Sequence, residues 1–379
     1  MNVPFVDLKN QYHTIKDKID AAIKDVIQET AFIGGKYVVA FEEKFAAKYD
    51  VRNCVSTANG TDSLYIIMKS LGIGAGDEVI TVANSWISSS ETITQCGAQP
   101  VFVDIDPVFY TIDENGIEEK ITDRTKAIIP VHLYGQMCNM EKIMAIANKH
   151  GLYVIEDCAQ SHFSVYKSRL AGTIGTAGSF SFYPGKNLGA YGDAGALITN
   201  NDELAIRCKM YARHGALKKH EHQMEGINSR LDGLQAAILS VKLDHIAEWT
   251  EKRIELASYY TKQFQNSKHV ITPAVRPDTR HTFHLYVIRV KNREQLQQYL
   301  KEKGVETAIH YPAPLPFLPA YAYLKHTADD FPVSFSYKEE ILSLPLYPEL
   351  THAEIDYIVA AVNDFYAYEN AAVMEGHQA

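Results

Sequence analysis

Ser179-Phe180-Ser181-Phe182-Tyr183-Pro184-Gly185-Lys186-Asn187-Leu188-Gly189-Ala190-Tyr191-Gly192-Asp193-Ala194-Gly195 is the stretch from which the rest of the chain is read. It enters as an apolar and aromatic run, the pattern of a strand. Pro184-Gly185 breaks that strand and turns the chain. One lysine, Lys186, stands just past the turn among small and neutral residues, with no carboxylate beside it. A lysine so placed loses its proton easily when desolvated, and the free amine can form a Schiff base with an aldehyde. A solvated loop lysine is the plainer reading of the same residues.

Two other stretches bear on that choice. Leu152-Tyr153-Val154-Ile155 reads as a short buried strand that ends in Glu156-Asp157-Cys158-Ala159-Gln160. A carboxylate at the C-terminal end of a parallel strand lies on the rim where α/β folds bind ligands. A pyridoxal phosphate (PLP) enzyme needs such a carboxylate to keep the ring nitrogen protonated, which makes the ring an electron sink. A strand-end aspartate that caps the next turn is the common alternative. The span from Asp157 to Lys186 leaves room for one return connection and one strand. Val55-Ser56-Thr57-Ala58-Asn59-Gly60-Thr61-Asp62-Ser63-Leu64 ends a strand and opens a helix through a glycine. Free N–H groups at that helix start, with the Thr61 hydroxyl, would cradle a phosphate. An ordinary N-cap by Thr or Asp is compatible with this, because the cap geometry itself builds the anion site.

In this order the three stretches resemble the sugar aminotransferase family of PLP enzymes, the DegT/StrS group. The resemblance covers nearly the whole chain. It includes Pro4-Phe5-Val6-Asp7-Leu8, Asn228-Ser229-Arg230-Leu231-Asp232 and Ile309-His310-Tyr311-Pro312-Ala313-Pro314-Leu315. It implies an α/β protein of fold type I, the aspartate aminotransferase type. A large PLP-binding domain (1–245) would hold a mostly parallel seven-stranded sheet, and a small α+β domain (246–379) would follow. The resemblance further implies that Lys186 holds PLP and acts as base and acid, with Asp157 against the ring nitrogen. Trp86 would stack on the ring and Gln160 would contact its hydroxyl. Gly60, Thr61, Asp62 and Ser181 would hold the phosphate, joined by Asn228 from the other subunit of a homodimer. Tyr183, His162, Lys218, Lys219, His220, His310 and Tyr311 are the candidate substrate contacts. Two positions depart from the family's pattern: Gly175-Thr176 where Gly-Asp is frequent, and Pro316 where a histidine is common.

The 379 residues suit two packed domains. Hydrophobic residues make up 46% and charged ones 22%, as in soluble globular proteins. A net charge of −9 argues against nucleic acid or an anionic membrane as partner. An anionic substrate must then meet a local basic or N–H-rich site. The five cysteines are scattered and form no CxxC, so neither a disulfide framework nor a zinc site is suggested. The start, Met1-Asn2-Val3-Pro4, lacks the pattern of a signal peptide, and no apolar run reaches spanning length. A cytoplasmic location is expected.

Apolar residues at helical spacing mark helices over 8–30 and 37–49. Strands at 54–55, 78–82, 100–103 and 127–131 then alternate with helices near 61–71, 87–96 and 139–149, which means βαβ units. Gly72-Ile73-Gly74-Ala75-Gly76 follows a helix and precedes a strand, the reverse of a dinucleotide loop, and reads as a turn. Trp86, past a strand end, suits either the core or a planar cofactor. His214, His220 and His222 stand among basic residues without a completing carboxylate or cysteine. They read as a polar loop for substrate phosphates, not as a metal site. Helix is expected from Leu231 to about Phe264, then strand 284–290, helix 293–303, strand 305–309 and helix 353–366. The polar tail from Asn370 to Ala379 is expected to fray.

The resemblance implies transamination from L-glutamate to a keto-sugar on a nucleoside diphosphate, in deoxysugar and glycan biosynthesis. The residues after Lys186 look like those of relatives acting on 3-keto sugars. This favours a dTDP-3-keto-6-deoxyhexose over a 4-keto or UDP-3-keto sugar. Three rivals are a sugar dehydratase, a PLP-binding regulatory protein and a nicotinamide oxidoreductase. In the first, a histidine replaces the lysine. The second predicts a degraded Lys186, Asp157 or Trp86. The third lacks its glycine loop.

Overall fold

The computed structural model describes residues 1–376. The chain opens with two helices, α1 (Leu8–Gln28) and α2 (Gly35–Tyr49). Strands and helices then alternate: β1 (Asn53–Thr57), α3 (Gly60–Ser70), β2 (Glu78–Val82), α4 (Ser88–Gln95), β3 (Gln99–Val103), β4 (Thr125–Ile129), α5 (Met140–His150) and β5 (Tyr153–Asp157). A small hairpin, β6 (Val165–Tyr166) with β7 (Arg169–Leu170), leads to β8 (Ala177–Ser181), β9 (Gly195–Thr199) and α6 (Asp202–Tyr211).

Seven of these strands form one sheet in the order β1-β9-β8-β5-β4-β2-β3. Only β9 runs against its neighbours. Helices cover both faces, so strands such as β2 and β9 are buried along their whole length. This is why they show no regular alternation of apolar and polar residues.

Helices α7 (Gly233–Lys242) and α8 (Ile246–Gln263) follow. The expected single helix over 231–264 is therefore two. Between them the ladder tightens to i→i−3 bonds, from Asp244 N–H to the Val241 carbonyl and from His245 N–H to Lys242. The C-terminal part holds β10 (Val270–Ile271), β11 (Thr279–Arg280), β12 (Tyr286–Val290), α9 (Arg293–Glu302), α10 (Pro332–Tyr337), β13 (Ile341–Leu344) and α11 (His352–Gly376). β10, β12 and β13 form an antiparallel sheet with a separate core, in which Tyr286, Leu296, Leu344 and Ile358 are buried.

The expected strand at 305–309 is absent. Val305 and Ala308 make only isolated bridges, to Val3 and Ser343, and β13 takes the place beside β12. Helix α11 runs past 366 to Gly376, and the last three residues of the polar tail lie outside the described residues. No helix among the described residues is long and apolar enough to cross a membrane. All five cysteines are free.

Candidate active site

The sheet's topology brings the three diagnostic stretches to one edge. β5 and β8 are parallel neighbours, with Asp157 opposite Ser179. β1 and β8 flank β9 from either side, both antiparallel to it, so they share a direction. Thr57 and Ser181 are both level with Gly195. The loops that follow β1, β5 and β8 therefore open on the same rim, where α/β sheets bind ligands.

Lys186 lies in a loop folded tightly after β8, its N–H donating to the Tyr183 carbonyl at 2.8 Å. It lines a cavity of about 230 Å³ together with Gln160, Tyr183, Arg253, His310 and Tyr311. Burial drives the Lys186 ammonium down to about 8, while the Asp157 carboxylate pulls the other way. Near neutral pH a sizeable fraction is therefore free amine, the nucleophilic form. Asn187 anchors the loop, with Nδ2 donating to the Thr282 carbonyl at 3.3 Å and Oδ1 3.1 Å from His284 Nδ1.

Asp157 is buried. Its Oδ2 accepts from Ser89 Oγ at 2.8 Å and its Oδ1 from the Ala159 N–H at 3.1 Å. Ser89 is itself 2.8 Å from Ser85 Oγ. A carboxylate held by neutral donors keeps its charge available for a cationic partner. Gln160 is fixed at both ends: Oε1 accepts from the Tyr134 N–H at 2.7 Å, and Nε2 donates to the Tyr311 hydroxyl at 3.0 Å. Tyr134 also donates its hydroxyl to the His310 carbonyl. Trp86 is not a core residue; it is 59% exposed and its ring lies 5.8 Å from that of Tyr311, tilted by 46°.

The anion cradle differs in detail from the expected one. The N-cap of α3 is Asn59, not Thr61 or Asp62, and its side chain accepts from the Asp62 N–H at 2.8 Å. Asp62 thus has its N–H occupied. Those of Gly60 and Thr61 have no acceptor among the described residues. Ser181 lies directly against this turn, and a Cβ on Gly60 would stand 2.7 Å from Ser181 Cβ. Thr61 Oγ1 is 2.7 Å from Ser88 Oγ. Open N–H groups at a helix start, hydroxyls beside them, an amine of lowered pKa and a buried carboxylate are the donor set that PLP requires.

His162 is fully buried beneath this site, edged by the Phe180 and Phe182 rings, and neither ring nitrogen has a hydrogen-bond partner. Burial first, and then Lys186, push its pKa down to about 3. The same two causes bring His310 down to about 4, so both rings are neutral at pH 7. His310 stacks on Phe5 at 5.8 Å and holds Ser343 Oγ through Nδ1 at 2.8 Å. Tyr183 is exposed at the mouth.

Within one chain, Lys218, Lys219 and His220 do not meet Lys186. They line a different cavity of about 460 Å³, with Arg213, His222 and Arg230. Asn228 is exposed, next to Ser229, whose hydroxyl accepts from the Ala58 N–H at 3.0 Å. Ser85, Ser89, Asn59, Tyr134 and Arg253, which the sequence does not single out, also brace or line the candidate site.

The DegT/DnrJ/EryC1/StrS aminotransferase family matches residues 13–363. The dTDP-3-amino-3,6-dideoxy-alpha-D-galactopyranose transaminase of Aneurinibacillus thermoaerophilus is 45% identical over 363 residues, covering 96% of this chain and 99% of its own. The pleiotropic regulatory protein of Geobacillus stearothermophilus is 44% identical over 370 residues, covering 97% and 100%. Among solved structures, S. venezuelae DesV in complex with a ketimine intermediate superposes with a TM-score of 0.94 at 37% identity, covering 96% of this chain and 98% of that one. Other solved relatives are in PLP and PMP forms.

Proposed function

This chain belongs to the DegT/DnrJ/EryC1/StrS aminotransferase family, and on that premise, with solved relatives in PLP and PMP forms, we propose that it moves an amino group from L-glutamate to a nucleotide-linked keto-sugar. The favoured acceptor is a dTDP-3-keto-6-deoxyhexose, which would become a dTDP-3-amino-3,6-dideoxyhexose. A UDP-3-keto or 4-keto sugar is the alternative.

The observation that carries the reading is one amine and one buried carboxylate, Lys186 and Asp157, within charge reach of each other at the rim of the sheet. When bound, PLP supplies the electron sink that stabilises negative charge on the carbon bearing the amino group. Lys186 would hold the cofactor through its aldehyde, and its amine, when free, would take and return the proton at that carbon as general base and acid. Asp157 would keep a proton on the ring nitrogen, Trp86 would cover a ring face and Gln160 would meet the ring hydroxyl. Gly60, Thr61, Ser181 and Asn228 of the partner subunit hold the phosphate. Tyr183, His310 and Tyr311 line the substrate pocket, His162 lies buried beneath it and out of a substrate's reach, and Lys218, Lys219 and His220, which lie apart from Lys186 within one chain, would meet the diphosphate from the partner subunit.

That scheme requires a homodimer. The exposed Phe32, Ile33 and Leu217 side chains near the basic loop support one. Five free thiols support a reducing, cytoplasmic location. The relative described as regulatory raises a non-catalytic reading, which the retained Lys186 and Asp157 oppose. The test is a visible absorbance spectrum of the PLP-loaded protein before and after glutamate, repeated with Lys186→Ala. A band that glutamate bleaches, absent from the variant, supports the reading. A protein that PLP does not colour ends it, and a band that glutamate leaves unmoved favours the regulatory role.

A further inference from the structure

We propose that Lys242 and Gln235, two turns apart on α7, are positioning residues that grip the Lys186 loop and set where its amine enters the cavity. The inference rests on the transaminase reading.

The loop after β8 is folded back on itself. Ala190 N–H donates to the Phe182 carbonyl at 2.8 Å, and a Cβ on Gly189 would stand 2.2 Å from the Pro184 carbonyl oxygen. This packing turns the Gly189 carbonyl toward α7, where Lys242 Nζ donates to it at 2.8 Å. Two residues on, the Tyr191 N–H donates to Gln235 Oε1 at 2.8 Å. A spacing of seven puts Gln235 and Lys242 on one helix face. The residue directly after Lys186 is held as well, Asn187 against Thr282 and His284. Lys186 stands between a fixed Tyr183 carbonyl and these grips.

Lys242 is an unusual residue for this task. It is 0% exposed and forms no ion pair among the described residues. Its ammonium lies 4.3 Å over the Tyr191 ring, and burial lowers its pKa to about 8, with Glu349 opposing from a distance. A buried cation that meets one carbonyl and one aromatic face destabilises a fold relative to an apolar side chain of equal volume. Stability therefore does not account for it. A four-carbon stem that reaches the Gly189 carbonyl does. Proton transfer is sensitive to placement, and a displacement of about 1 Å costs on the order of 100-fold.

The experiment compares wild type with Lys242→Met, Gln235→Leu and Gln235→Glu, the last of which keeps the acceptor. Three quantities are read: melting of the cofactor-free form, the pH midpoint of the visible band of the PLP-loaded holoenzyme, and the single-turnover rate with glutamate as a function of its concentration. The expected result for Lys242→Met is melting at or above the wild-type temperature, a displaced pH midpoint and a limiting rate lower by roughly 10- to 100-fold. Half-saturation should stay within about twofold, as for an interaction made only in the transition state. Gln235→Leu should be slowed in the same way and Gln235→Glu restored. A loaded Lys242→Met protein with wild-type limiting rate and pH midpoint overturns the proposal. If that variant does not fold, Gln235→Leu and Gln235→Glu both at the wild-type rate overturn it equally. A wild-type protein that shows no band refutes the transaminase reading instead, before any variant is compared.

Discussion

Ser89, in the first turn of α4, donates its hydroxyl to the Asp157 carboxylate at the end of β5 across 2.8 Å. The two are far apart in the chain, and only the rim of the sheet brings them together. Ser85, one turn away, stands behind Ser89 at the same distance. The pair fixes which way the carboxylate faces without neutralising it. Ser89→Ala removes one hydrogen bond to a charged group, a loss of roughly 1.5–3 kcal/mol. The expected outcome is a fall of about 10- to 100-fold in kcat/KM with glutamate, while Asp157→Asn, which removes the charge itself, falls further. Steady-state assay of both variants checks the order. A Ser89→Ala enzyme as slow as Asp157→Asn would mean that the serine does more than orient.

Lys186 gives a pH prediction. Its ammonium in the cofactor-free chain is held near 8, against an ordinary 10.5. Below pH 8 the unreactive ammonium dominates and the free amine falls about tenfold per pH unit, while above 8 the free amine dominates. The rate at which cofactor-free protein captures PLP, followed by the growth of visible absorbance, should rise about tenfold per pH unit up to about 8 and then level off. A rate still climbing at pH 10 would show an ordinary, solvated lysine. The depressed value also makes the folded chain bind fewer protons than the unfolded one between about 8 and 10.5. This group's contribution to stability therefore increases as pH rises through that window.

Lys186, Asp157 and Gly60 were legible because each carries a local signature: a lone cation after Pro184-Gly185, a carboxylate closing an apolar strand, and a glycine opening a helix. The alternation of strand and helix made the seven-stranded, mostly parallel sheet legible too. What was missed depends on partners remote in sequence. Ile341–Leu344 is a strand because β12 lies beside it, and nothing in four apolar and small residues before Pro345 announces that. Val305 and Ala308 have the strand composition but find no continuous partner. Tyr134 enters the site through a left-handed backbone turn, φ 60°, that a tyrosine does not advertise. Asn59, Thr61 and Asp62 are all capping types, so residue type alone does not single out Asn59 as the cap.

Gly60→Ala tests the cradle. The added Cβ would sit 2.7 Å from Ser181 Cβ and 3.0 Å from its Cα, closer than real atoms approach. Ser181 is in a sheet strand and cannot retreat, so the helix start must move. Overpacking of this kind costs about 1–3 kcal/mol. The expected outcome is a rise of roughly 10- to 100-fold in the dissociation constant of PLP, read by dialysis of the loaded protein and titration back. Global stability should fall less, because the strain is confined to one turn.

Glu156 tests what supports the site from behind. It precedes Asp157 on β5 and so points to the opposite face. Its carboxylate is fully buried and saturated: Oε1 accepts from the Ile174 and Gly175 N–H groups at 2.7 and 2.6 Å, and Oε2 accepts from Gly172 N–H at 2.8 Å and faces His132 Nε2 at 2.9 Å. Burial alone would push its pKa up, but His132 and the N–H donors more than offset that and leave it below the ordinary 4.5. A depressed carboxylate contributes stability that is complete above the unfolded value and is lost as pH falls through the folded one. Glu156→Gln puts an amide among four donors and leaves at least one N–H without an acceptor. The expected loss is roughly 3–5 kcal/mol, read as a lower denaturant midpoint at neutral pH, with the gap to wild type closing as both are acidified below the ordinary 4.5. A gap that stays constant with pH would show that packing, not charge, holds this end of β5 in place.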